Sequence, residues 1–208
     1  KDKLPIFYAN ILLNRGSIDE SGKRGIHNFA FRLLMEGPEG KSPVDFSKEL
    51  EGLGLRIKTR SGYSFSSFEI DGLSNFFEDA LKKLEELVNR PAFREEDFKR
   101  LKDHYLTAVR LGFQDPEFVS SYFANLLYFK EVPQLAALPD FGFVKDVMSL
   151  TLEDVKNYYA TTINNAASSI VVVSNLEVIG FKDKMERLKL PINSAKSKRS
   201  IEVPLLKF

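Results

Sequence analysis

The apolar pattern changes period near the amino end of the chain. Residues 5–13 (PIFYANILL) form a short apolar run rich in strand formers and read as a buried strand. Residues 14–22 are polar and turn-like. From Ile26 onward, Ile26, Phe29, Ala30, Leu33 and Leu34 recur at helical spacing, so the segment is an amphipathic helix with one face to bury. Gly37 and Pro38 stop it, the first by tolerating a left-handed cap and the second by lacking an amide hydrogen. A second stripe of the same helix, Asn28, Phe31, Arg32 and Met35, shares one face, because residues three, four and seven apart stack there.

The pattern continues with a helix opened by Ser42 as N-cap, Pro43 at the first helical position and Asp45 near the positive end. Phe46, Leu50 and Leu53 are its core face, and Gly52 and Gly54 end it. Residues 55–61 and 64–71 alternate as two strands of a hairpin joined by Gly62 and Tyr63. Phe76, Phe77, Ala80, Leu81, Leu84, Leu87 and Val88 mark a helix closed by Pro91. Another spans 94–111, with Glu95, Glu96 and Asp97 in its first turn. Asp115, Pro116 and Glu117 cap a third, whose apolar residues are Phe118, Tyr122, Phe123, Leu126 and Phe129.

Residues 132–140, with Pro133 and Pro139, read as an irregular connector. Thr151 to Asp154 is a capping-box start to a helix running to about Thr161. The run 169–174 (SIVVVS) reads as a buried central strand. Residues 177–188 read as helical, 192–200 as a polar, basic linker, and 201–208 as the first strand of something further on. This order predicts an α+β fold: a mixed, largely antiparallel sheet with several helices packed mainly on one face. The expected organisation is one domain over 1–191, then at 192–208 a linker and the start of a second homologous domain.

The bulk numbers leave that picture in place and remove alternatives. The chain has 208 residues, 43% apolar and 28% charged, enough for a substantial core. A net charge of +1 gives no strong field for nucleic acid or membranes. The basic residues of the linker, Lys196, Lys198 and Arg199, read as solvation. No apolar run approaches the roughly 18 residues of a membrane span. The absence of cysteine excludes disulfides, thiolate zinc sites and thiol catalysis, and fits cytoplasm or envelope alike. No signal peptide is visible at Lys1. Eighteen Phe against no Trp read as core filling, since Phe brings area without a polar atom to satisfy.

The first helix resembles the zinc helix of the insulinase and mitochondrial processing peptidase family, whose ligands lie in the inverted order His-x-x-Glu-His. Gly25 and Phe29 fall in place, but the first His position holds Asn28, the Glu position Phe31 and the second His position Arg32. The likeness extends along the chain. Gly16 to Glu20 matches a turn after the first strand, and Glu36 to Ser42 a segment after the helix. Leu53, Gly54 and Leu55 open a strand that in active members carries an Asn-Ala pair; here Lys58 and Thr59 stand there, then Ser61. Leu150 to Val155 and Asn165-Ala166 before SIVVVS match the closing helix and strand.

The resemblance places the third ligand, a Glu, near Ala108 or Val109, and 106–112 contains no carboxylate. Amides are poor ligands for zinc, guanidinium has no lone pair, and a Phe cannot act as a base. It therefore implies no catalytic residue and no metal in this chain, with zinc only in a catalytic partner. His27 and His104 do not replace the site, since one residue along a helix turns a side chain by about 100°.

For Arg32 two readings stand: pairing with a nearby carboxylate in the space left by zinc, or facing a chamber where it meets a peptide or partner carboxylate. Active relatives add an extended peptide to the hairpin edge, which makes Lys58, Thr59, Arg60 and Ser61 candidate peptide or partner contacts with Arg32. The same basic residues also suit a guarded sheet edge.

The function so implied is a non-catalytic domain or subunit of a zinc metallopeptidase assembly that helps form a peptide-binding chamber. Its partner would be a homologous catalytic chain or second half-domain. The alternatives are a purely structural subunit resembling the core proteins of respiratory complexes, and an independently active enzyme. No Ser/His/Asp set or phosphate loop supports the last.

Overall fold

The computed structural model describes residues 4–130, 132–136 and 142–175. Its sheet is antiparallel throughout among the described strands, in the order β2-β3-β1-β4. β1 (Ile6–Leu13) and β3 (Ser66–Leu73) are central, and β2 (Arg56–Ser61) and β4 (Ser168–Ser174) are the edges. Side chains alternate between faces along a strand, and residues directly opposite across a ladder share a face. Phe7, Ala9, Ile11 and Leu13 are buried on one side, where Ala9 lies between Ile70 and Val172. On the other side Ile6, Tyr8, Leu73, Val171 and Val173 are exposed.

Helices cover the first side, as expected. α1 (Ile26–Leu34) drives Phe31 onto Phe68 with ring centroids 5.4 Å apart. α2 (Pro43–Gly52) begins where the sequence places it, with the Asp45 amide donating to Ser42 Oγ over 3.1 Å. α3 (Phe77–Asn89) buries Leu81, Leu84 and Leu87, and its Phe77 meets Phe7 edge-on at 5.0 Å. α4 (Glu95–Gly112) lies beside α1, where Phe29 contacts Phe98 at 5.2 Å and Tyr105 at 6.2 Å.

Three points of the fold differ from what the pattern suggests. Among the described strands the run SIVVVS is not central but forms the edge strand β4, with Val171 and Val173 51% and 65% exposed. Its inward residues Ile170 and Val172 alone pack on the core. The second hairpin strand starts at Ser66 rather than Ser64. Ser17 and Ile18, from a short turn of 3-10 helix at Ser17–Asp19, donate their amides to the Gly62 and Tyr63 carbonyls and hold 62–65 as a loop. α5 (Pro116–Tyr128) forms under its Asp115 cap, but none of its residues is buried. Its Phe118 packs against Phe113, just past the end of α4, at 5.5 Å and against Tyr122 at 6.3 Å.

The connector after α5 contains a short helix, α6 (Pro133–Ala136), and α7 (Val144–Ser149) follows. The expected helix at 177–188 and the linker and strand at 192–208 lie outside the described residues. Among the described residues no helix is long and apolar enough to cross a membrane.

α8 (Leu152–Tyr158) carries the reciprocal cap anticipated for Thr151: the Asp154 amide donates to Thr151 Oγ1 and the Thr151 amide to Asp154 Oδ2. Lys23 binds the same carboxylate at 2.6 Å. Thr151→Ala removes one arm of the box and is expected to lower stability by about 1 kcal/mol, read from denaturant midpoints at unchanged slope.

Candidate functional site

Helix α1 is positioned by its amino end. Gly25 adopts a left-handed conformation there, φ 99°, which suits a residue without Cβ. The buried Glu20 carboxylate then accepts the Gly25 amide at 3.0 Å and the His27 amide at 2.8 Å, satisfying donors that a helix start leaves open. Burial pushes its pKa up to about 7, against the lowering effect of the two amides and of Arg24.

His27 is fully buried. Nδ1 lies 2.9 Å from the Tyr158 hydroxyl and Nε2 2.5 Å from Ser66 Oγ. Ser66 spends its only proton on the Arg15 carbonyl, so its oxygen accepts from His27 Nε2–H. Nδ1 must then accept from the Tyr158 hydroxyl, and the imidazole is neutral. Burial lowers its pKa to about 3 and raises that of Tyr158. His27 is thus a structural pin joining α1, β3 and α8. His104, on α4, is exposed.

Asn28, Phe31 and Arg32 project from the neighbouring face of α1 toward the end of β2. With Thr59, Arg60 and Ser61 they line one cavity of about 350 Å³. Asn28 Nδ2 donates to Ser61 Oγ at 2.6 Å and ties helix to strand. Phe31, 2% exposed, forms the floor, its ring 5.0 Å from that of His27. Arg60 pairs with the buried Glu69 at 2.5 Å.

Arg32 is exposed and has no ion pair among the described residues. Its guanidinium lies over the Tyr105 ring, 6.0 Å from the centroid. Pairing with a nearby carboxylate is therefore not what the structure contains; an aromatic ring on α4 holds the side chain instead. The expected contact set divides. Thr59, Arg60 and Ser61 reach this cavity, whereas Lys58 lines a separate, broader cleft of about 890 Å³ over the open side of the sheet. Val109 is buried on α4, one turn beyond Tyr105 on the same face, and Ala108 is half-buried.

These side chains do not fit a zinc ion. Asn28 offers its amide to Ser61, Phe31 is packed in the core, and Arg32 is a cation. Among the described residues no group of three or more His, Asp or Glu stands close enough to hold a metal. Sequence reasoning missed Tyr105, Glu20, Ser66 and Tyr158. Only Tyr105 left a signal, its four-residue spacing from Val109.

No family model matches the chain. The curated "Non-peptidase homolog YmxG" of Helicobacter pylori is 19% identical over 202 residues, covering 97% of this chain and 46% of that protein. The crystal structure of a peptidase M16 inactive domain from Pseudomonas fluorescens superposes with a TM-score of 0.85 at 22% identity, over 97% of this chain and 49% of that one. The periplasmic protease PqqL from Escherichia coli gives 0.76 at 15% identity, over 94% of this chain and 22% of its own. The chain spans about half the length of the first two and less of the third. At these identities the likeness establishes the fold, which is the insulinase-like α+β domain that the sequence implies.

Proposed function

From an insulinase-like fold with other side chains at its metal-ligand positions, we propose that the chain is a non-catalytic half of a zinc-peptidase assembly. It completes a peptide-binding chamber with a homologous catalytic partner. The observation that carries this reading is the state of α1. Its packing face, its cap and its seat beside α4 are well formed, and an amide, a ring and a guanidinium occupy the positions that the resemblance aligns with the motif's ligands and base. Zinc on this reading belongs to the partner. The share of its relatives that the chain spans, about half, supports a second half-domain or a separate homologous chain in that role. β2, an edge among the described strands, is where an extended peptide would add.

A purely structural subunit is the second reading, and one observation favours it. The open side of the sheet carries Ile6, Tyr8, Leu73, Val171 and Val173, a surface that suits a stable protein contact rather than a passing peptide.

Purification of the full-length protein from its host separates the two. The expected result is a zinc-bearing homologous peptidase, chain or half, with about one zinc per pair. Peptide hydrolysis should need both members. A stable complex without a zinc peptidase and without peptide binding would replace the first reading by the second.

A further inference from the structure

We propose that the cavity between α1 and β2 is a carboxylate-binding site centred on Arg32, and that it recognises a carboxylate of an extended peptide. The inference rests on the chamber reading above and adds the chemistry of what the chamber holds.

The lining is one-signed. Of the six residues, Arg32 and Arg60 are cations, Asn28, Thr59 and Ser61 are neutral and polar, and Phe31 is an apolar floor; none is acidic. The two guanidinium groups are not equivalent. Arg60 is engaged by Glu69. On α4, Arg100 is likewise matched, by Glu36 and Asp97. Arg32 has no such carboxylate among the described residues and keeps a ring contact with Tyr105, which orders the side chain without supplying an anion.

A planar fork of N–H donors held beside an apolar floor matches the two oxygens of a carboxylate, and the nearby hydroxyls offer further donors. The Asn28–Ser61 hydrogen bond fixes the gap between helix and strand, so the cavity is formed before a ligand arrives. The edge of β2 runs into it, and a peptide added there would bring either its terminal carboxylate or an Asp or Glu side chain to Arg32. Both sources present the same group.

The test uses the full-length protein as purified from its host with its partner, and a fluorescein-labelled ten-residue peptide with one internal Glu, measured by fluorescence polarisation at low and moderate salt. Four versions separate the sources: free or amidated at the C-terminus, each with the internal Glu or with Gln. Wild type is expected to lose about tenfold or more in affinity when the recognised carboxylate is removed, as befits a charge-assisted pair. The version that causes the loss identifies the source. Arg32→Gln, an exposed change checked by thermal melting, should abolish that discrimination. Arg32→Lys should keep part of it, and Lys48→Gln, an exposed change on α2, all of it. Peptide binding by wild type that ignores both carboxylates, or discrimination that survives in Arg32→Gln, overturns the inference and leaves the chamber standing. Absence of any peptide binding overturns both.

Discussion

Rebuilding the motif with Asn28→His, Phe31→Glu, Arg32→His and Val109→Glu is expected to yield a severely destabilised protein with weak zinc affinity and negligible peptide hydrolysis. Two of the four changes put carboxylates into the core. Phe31 is 2% exposed, packed between Phe68 and His27, and Val109 is 3% exposed. Deleting a buried aromatic ring costs about 3–5 kcal/mol, and burying an unpaired acid costs several more unless it takes up a proton. Against a total stability of about 5–15 kcal/mol, the two acids can consume most of it.

Zinc would offset this only if all its ligands converged, and a catalytic ion also needs groups that orient those ligands. Asn28→His with Arg32→His alone, which leaves the core intact, is expected to cost only about 1–2 kcal/mol, chiefly for the lost bond to Ser61. Thermal melts with and without zinc, metal analysis after dialysis and a quenched fluorescent peptide provide the readout. A quadruple variant that binds one zinc, melts at or above wild type and cleaves peptide would show that the site lacks nothing but its ligands.

A second large effect lies in pH dependence. Glu20 is raised from 4.5 to about 7, so the folded chain keeps a proton that the unfolded chain has shed. Its stabilising contribution is complete below pH 4.5 and is lost as pH rises toward 7. His27 is lowered from 6.5 to about 3, so its contribution is complete above pH 6.5 and is lost as pH falls toward 3. Between pH 4.5 and 6.5 the unfolded chain carries its proton on His27 and the folded chain on Glu20. The two slopes therefore cancel for this pair.

Glu20→Gln leaves the histidine alone, and stability should rise across that window by about 2–3 kcal/mol, near 1.4 kcal/mol per pH unit. His27→Gln leaves the acid alone, and stability should fall across the same window by a similar amount. Both variants lose baseline stability, because Glu20 caps α1 and His27 joins Tyr158 to Ser66. The slope is what separates them. Urea midpoints at half-unit pH steps provide it, and slopes of the same sign in the two variants would rule out the opposed titrations.

Local features of the fold were legible because local rules write them. The cap at Ser42 and the box at Thr151 are set by side chains reaching backbone three residues away. The apolar stripe of α1 follows from helical spacing, and its Gly25 start and the β2–β3 hairpin were equally visible. The shared face of Asn28, Phe31 and Arg32 was readable for the same reason, since they lie within about one helical turn.

What the tertiary structure alone decided is which surfaces those elements meet. SIVVVS is apolar enough for a central strand, but among the described strands it pairs only with β1 and stands at the edge, because strand order is set by the partners that close around it. The stripe of α5 has the spacing of a core face and finds no core to enter. One step along α1 turned His27 away from Asn28 as the helix period requires. Its burial then came from Tyr158, far along the chain, and from Ser66. Arg32 was legible as a cation in search of a partner, yet only packing could put Tyr105 rather than a carboxylate beneath it. Sequence spacing dictates direction within an element, whereas the side chain it finally touches depends on elements that approach from elsewhere and compete for the same space.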